Sequence, residues 1–143
     1  MKSAEAPQPP AAPQPKGAVL IIDDEQPLLD VFGQALEPYF EVSKVTSTRE
    51  ADFLLRKKKF KVVVSDHLMP GGNGMSFLVR MREEYPNTQR ILVTGYMKPE
   101  MLLRSVNEAA LHRYLLKPVS LPELIKVVQE AAKLHDMSAK TVA

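Results

Sequence analysis

Five polar side chains stand at the ends of four short apolar runs: VLIIDD, VVVSD, ILVTG and YLLKP. The ends are Asp23 and Asp24, Asp66, Thr94, and Lys117. In an open parallel α/β sheet, ligands bind beyond the carboxyl ends of the strands. If the four runs are neighbouring parallel strands, all five side chains meet at one edge. Three clustered carboxylates repel one another unless a cation joins them. Donors that are all oxygen indicate a hard ion such as Mg²⁺. A carboxylate beside Mg²⁺, with a Lys and a Thr in reach, is suited to accepting a phosphoryl group.

The elements that must position these residues are legible as an alternation of apolar runs and helical patterns, which predicts a parallel sheet with covering helices. Strand one is about 18–23. Helix one follows Pro27, with Leu28, Phe32, Ala35, Leu36 and Tyr39 on one face. Residues 40–45 alternate and read as strand two. Ser47 with Glu50 forms a capping box that opens helix two, and Lys57, Lys58 and Lys59 close it, where cations suit the macrodipole. Residues 61–66 are strand three, apolar at Val62, Val63 and Val64 and expected to be buried on both faces. The loop 69–74 turns into helix three, about 74–85. Strand four is 89–94. Helix four runs from Pro99, a favourable first-turn proline, to Ala109. Strand five is 113–116. Helix five carries a stripe of Leu121, Leu124, Ile125, Val128, Ala131 and Ala132. The expected architecture is a five-stranded parallel sheet with helices on both faces, a (βα)5 doubly wound flavodoxin-like fold.

Composition bounds the rest. With 143 residues, 45% hydrophobic and 25% charged, the chain is expected to form one globular domain. A net charge of +2 marks no nucleic-acid binder. There is no cysteine, so disulfides and thiolate metal sites are excluded. No stretch approaches the roughly 18 apolar residues of a membrane span, and the N-terminus lacks a signal-peptide core. The expected location is cytoplasmic, with neither nucleic acid nor membrane as partner. Residues 1–16 hold Pro7, Pro9, Pro10, Pro13 and Pro15 and read as a disordered Pro/Ala/Gln-rich tail. The folded unit is 17–135. Residues 136–143 are a short C-terminal tail expected to fray from Met137.

From about Ala18 to Leu134 the chain resembles the receiver domains of two-component response regulators, chemotaxis-type receivers among them. The resemblance rests on the acidic pair in IIDDE, the loop VVVSDHLMPGGNG, the Thr in LVTG and the Lys-Pro in YLLKPVS, in this order and at successive strand ends. It implies that Asp66 is the phosphoacceptor. Asp23, Asp24, Asp66 and the backbone carbonyl of Leu68 would hold Mg²⁺, Asp23 largely through water. Lys117 would pair with one phosphoryl oxygen and Thr94 would hydrogen-bond another. Tyr114 matches the family's switch aromatic, moving inward as Thr94 moves toward the phosphoryl group. A cis Lys117–Pro118 bond is implied as well. The implied donor is a histidine kinase or phosphotransfer protein. The implied output surface is helix four, strand five and helix five, which would engage a downstream protein or a second copy as a homodimer. The receiver assists its own phosphoryl transfer and slow dephosphorylation and is otherwise no enzyme.

Two other readings of the residues stand beside this one. Phosphatases with an aspartyl nucleophile carry a general-acid Asp two residues after it; here that position is Leu68. A receiver-like module that is never phosphorylated would have no need of all five groups. Gly71, Gly72 and Gly74 lack the GxxxxGK[ST] of a nucleotide loop and instead supply unusual backbone positions beside the acidic site. His67 is expected to point away from Asp66, and His112 and His135 have no evident ligand partners. Leu68 and Tyr96 flank the site and neither readily orients an attacking water. About ten residues follow helix five, and with the initial Met1 this is the expectation for a stand-alone receiver.

Overall fold

The computed structural model describes residues 16–69, 72–95 and 98–141. The Pro-rich segment 1–15 lies outside the described residues. The chain runs β1 (Ala18–Ile22), α1 (Gln26–Leu36), β2 (Glu41–Val45), α2 (Thr48–Lys57), β3 (Val62–Asp66), β4 (Leu68–Met69), β5 (Gly72–Asn73), α3 (Gly74–Glu84), β6 (Gln89–Thr94), α4 (Pro99–Ala109), β7 (Arg113–Leu116) and α5 (Leu121–Thr141). Five strands form one parallel sheet in the order β2-β1-β3-β6-β7. This is the doubly wound flavodoxin-like order, in which strand sequence reverses beside β1 and opens a crevice at the carboxyl ends of the strands.

Alternation along the strands divides the core into two layers. Leu20, Ile22, Val63 and Leu92 face α2 and α3, where Leu55, Phe77, Leu78 and Met81 are buried. Val19, Ile21, Val62, Val64, Ile91, Val93 and Leu115 face α1 and α5. Central β3 is buried at all five residues, whereas the edge strands β2 and β7 each bury only one, Val45 and Leu115. The continuous valine run of β3 is therefore what a strand covered on both faces requires.

Local sequence signals account for most element ends. Ser47 Oγ accepts the Glu50 N–H at 3.2 Å, capping α2. The Glu50 carboxylate reaches back to the N–H and hydroxyl of Thr46, one residue beyond Ser47, the expected box partner. Pro99 opens α4. Three expectations are corrected. In α1 the core face is Leu29, Phe32, Gly33 and Leu36; the expected Phe32 and Leu36 are buried, but Leu29 takes the place of Leu28, which only packs at the margin, and Tyr39, beyond the helix end, is exposed. In α5, Val127 is fully buried and belongs to the stripe. The same helix continues through Met137 to Thr141. No Gly or Pro interrupts this segment, and Asp136 pairs with Lys61 at 2.8 Å, which ties the last turns to the start of β3. The loop after β3 also carries an unexpected feature, the two-residue antiparallel ribbon β4–β5.

Candidate functional site

The strand register brings the predicted side chains to one level. Ile22 pairs with Ser65, so Asp23 stands beside Asp66. Asp66 pairs with Val93 and Thr94 with Leu116, so Thr94 and Lys117 follow at the next two strand ends. Carboxylate oxygens of Asp23, Asp24 and Asp66 all lie within 4.8 Å of one another. Asp23, Asp66 and Thr94 are buried, and Asp24 is exposed at the rim. The Lys117 ammonium lies 3.3 Å from Asp66 Oδ1 and 3.6 Å from Asp23 Oδ2. Its backbone N–H donates to the Thr94 carbonyl at 2.9 Å, and the Lys117–Pro118 bond is cis.

One ammonium cannot neutralise three carboxylates. Burial pushes Asp23 from its ordinary 3.8 up to about 6. The neighbouring Asp66 and Asp24 charges add to that rise, while the Glu25 N–H and Lys117 oppose it. Burial acts to lower the Lys117 pKa, but the carboxylates of Asp23, Asp66 and Glu25 outweigh it and the net shift is upward. The donor set is therefore all oxygen, crowded and short of positive charge. These residues fit a hard divalent cation.

The loop geometry explains two neighbours of Asp66. The His67 N–H is shared between Asp66 Oδ1 and the Val93 carbonyl, both at 2.9 Å. Its imidazole turns away into a cavity between α3 and α4, lined also by Met75, Val79, Met101 and Arg104, where Nδ1 is buried without a hydrogen-bond partner. Gly74 opens α3 directly against the strand, and a Cβ there would collide with the Asp66 carbonyl oxygen. That close approach, more than a special dihedral, demands glycine.

Other residues singled out in the sequence fall as follows. Tyr114 faces outward at 41% exposure on β7 and lines a cavity of about 460 Å³ with Val106, Leu111, His112 and Leu116. The Leu68 backbone enters β4 immediately after the Asp66 loop turn. Tyr96 and the side chain of Leu68 lie outside the described residues. His112 Nε2 sits 4.0 Å from Glu130, and His135 contacts Asp136; neither joins the acidic cluster. Sequence reasoning missed Glu25, whose Oε1 is 3.6 Å from the same Lys117 ammonium. Its place directly after the acidic pair was the available signal.

Residues 19–129 match the family model described as response regulator receiver domain. Among curated proteins, the hydrogenase transcriptional regulatory protein HoxA of Cupriavidus necator is 36% identical over 122 residues, covering 85% of this chain and 25% of that protein. HoxA of Bradyrhizobium diazoefficiens is 32% identical, covering 88% of this chain and 26% of its own length. The chain thus spans about a quarter of the length of these relatives. Among solved structures, a CheY-like response regulator receiver domain protein from Methanospirillum hungatei superposes with a TM-score of 0.80 at 27% identity, covering 86% of this chain and 98% of that one. The signal receiver domain of an HD domain-containing protein from Pseudomonas fluorescens gives 0.83 at 26% identity, covering 91% and 96%.

Proposed function

This chain belongs to the response regulator receiver family, and on that premise we propose that it is a phosphoacceptor switch with Asp66 as the acceptor. The observation that carries the reading is the ammonium of Lys117 set 3.3 Å from a buried carboxylate at the end of the central strand. An Asp66 oxygen attacks phosphorus as the bond from phosphorus to the donor imidazole of a histidine kinase or phosphotransfer protein breaks. The electron pair stays on the imidazole. Phosphoryl transfer of this kind is mainly positioning and charge neutralisation. Lys117 leaves its carboxylates to pair with one phosphoryl oxygen, and the Thr94 hydroxyl donates to another.

Asp23, Asp24, Asp66 and the Leu68 carbonyl are the proposed holders of Mg²⁺. Bound there, Mg²⁺ supplies charge neutralisation for the transferred oxygens. The chain's own residues do the rest: they exclude water, orient the acceptor and aim the lysine. The state of Asp66 is read by Thr94 and passed to α4, β7 and α5, with Tyr114 as the aromatic that moves inward. That surface then contacts a downstream protein or a second copy. Such a mechanism needs only a two-state element biased by new contacts to the phosphoryl group.

The test is intact mass after incubation with acetyl phosphate and Mg²⁺. The wild type should gain one phosphoryl group that is lost on alkaline treatment, and Asp66→Asn should gain none. A full mass gain in Asp66→Asn would remove Asp66 from the mechanism.

A further inference from the structure

Lys117 is shared by three carboxylates, and the third is unlike the other two. Asp23 and Asp66 are buried, but the Glu25 side chain is 65% exposed at the mouth of the site. Glu25 also stands at the N-cap of α1, where an acidic side chain ordinarily accepts a first-turn N–H. It makes no such bond, and no other acid occupies that first turn. Its backbone is held without the side chain's help. The Glu25 N–H donates to Asp23 Oδ1 at 2.9 Å, and its carbonyl accepts the N–H groups of Leu28 and Leu29 at 3.1 Å. The carboxylate is thereby free to reach Lys117, its only ion-pair partner among the described residues.

We propose that Glu25 is a positioning residue that holds the Lys117 ammonium toward the mouth of the site and makes the site discriminate among phosphodonors by charge. The inference rests on the reading of Asp66 as the acceptor. Two effects of the Glu25 charge point the same way. A donor approaching Asp66 passes an exposed negative charge that, among the described residues, is paired with Lys117 alone. Lys117 must also leave Glu25 before it can pair with a phosphoryl oxygen. The first penalty grows with the negative charge of the donor, whereas the second is a fixed cost that every donor meets. At a separation of about 6 Å in a water-like dielectric, the Glu25 charge changes a rate by about threefold against a monoanion and by about tenfold against a dianion. The effect is electrostatic and exposed, so salt must suppress it.

Acetyl phosphate and phosphoramidate separate the cases. The first reacts as a dianion and releases acetate, which keeps the electron pair of the broken P–O bond. The second is close to a monoanion at neutral pH and releases ammonia from the broken P–N bond. Phosphorylation rates are measured with both donors for the wild type, Glu25→Gln and Glu25→Asp, with Mg²⁺, at low salt and at about 0.5 M salt. Glu25→Gln should react up to about tenfold faster with acetyl phosphate at low salt, gain no more than about threefold with phosphoramidate, and lose its advantage at high salt. Glu25→Asp should keep the wild-type donor preference. Equal rates for wild type and Glu25→Gln overturn the proposal, as does an acceleration that is the same for both donors at both salts. A wild type that takes no phosphoryl group from either donor overturns the reading of Asp66 and this inference with it.

Discussion

Helices α4 and α5 cover opposite faces of the sheet and are attached by different forces. α5 buries Leu124, Val127, Val128, Ala131 and Ala132 in the layer it shares with α1. α4 buries only Ser105 and Ala109, and leaves Met101 and Leu103 exposed at 48% and 65%. What α4 lacks in apolar burial it gains at its C-terminus from two arginines. Arg82 donates to the carbonyls of Asn107 and Glu108, both at 3.0 Å. Arg90, itself buried, donates to Ala109 at 2.7 Å and to Ala110 at 3.4 Å, and also to Thr88 at 2.9 Å. These are the carbonyls that a helix end leaves without partners. At the other end, Lys98 gives α4 no side-chain cap. α5 cannot shift without losing buried area along its length. α4 is pinned at one end, so its first turns, which follow the Thr94 strand end, are the part able to respond to the site.

The largest expected effect tests the apolar attachment of α5. Leu124 is fully buried, so Leu124→Ala should lower unfolding stability by about 3 kcal/mol in denaturant titration. A loss under about 1 kcal/mol would break the contrast. Next is the pinned end of α4. Arg90→Met removes the donors to several buried carbonyls and should cost about 2 kcal/mol. Amide exchange should rise over residues 105–111 while that of α5 stays low. If exchange rises equally in both helices, the arginine holds the whole fold rather than α4.

Smaller still is the effect of pH at the cavity beside β7. Burial lowers the His112 pKa below its ordinary 6.5, with Glu130 opposing and Arg113 adding to the shift. Above the unfolded pKa, His112 is neutral in both states and contributes no pH dependence. Below it, the unfolded chain takes the proton first, so stability falls as pH drops from about 7.5 through 6.5 toward the folded pKa. His112→Gln should remove that part of the slope, read as the difference between the two proteins' unfolding curves. An unchanged slope would mean that the imidazole is not held in its neutral form. The smallest effect is on exposed α4: Leu103→Ala should change stability by no more than about 0.5 kcal/mol.

How far the sequence discloses this molecule depends on how local the cause is. β6, α4 and β7 were placed to the residue, because each is bounded by a turn or proline signal and carries an unambiguous pattern. The acidic, hydroxyl and ammonium groups were legible because each ends an apolar run, and parallel strands bring such ends together. In α1 the choice between Leu28 and Leu29 was not legible, since LLDVFGQAL admits two overlapping apolar faces that share Phe32 and Leu36, and packing against β1 and α5 decides between them. The β4–β5 ribbon is too short and glycine-rich to announce itself. Arg90 reads as an ordinary charge in an alternating strand; its role depends on carbonyls 19 and 20 residues later. Glu25 was hidden by its neighbours, because only the fold brings Lys117 to the same point.

The contrast between the two helices comes down to one point: within the surface of α4, β7 and α5, a phosphoryl group on Asp66 shifts the loosely packed first turns of α4, while the buried stripe of α5 stays as the fixed frame. Beryllofluoride with Mg²⁺ serves as a stable stand-in for the phosphoryl group. Amide exchange over residues 98–104 and 121–132 is compared with and without it, in the wild type, Thr94→Ala and Asp66→Asn. Exchange should change in the first segment of the wild type and little in the second, with a blunted response in Thr94→Ala and none in Asp66→Asn. An equal response in both segments, or an undiminished response in Asp66→Asn, would contradict this contrast.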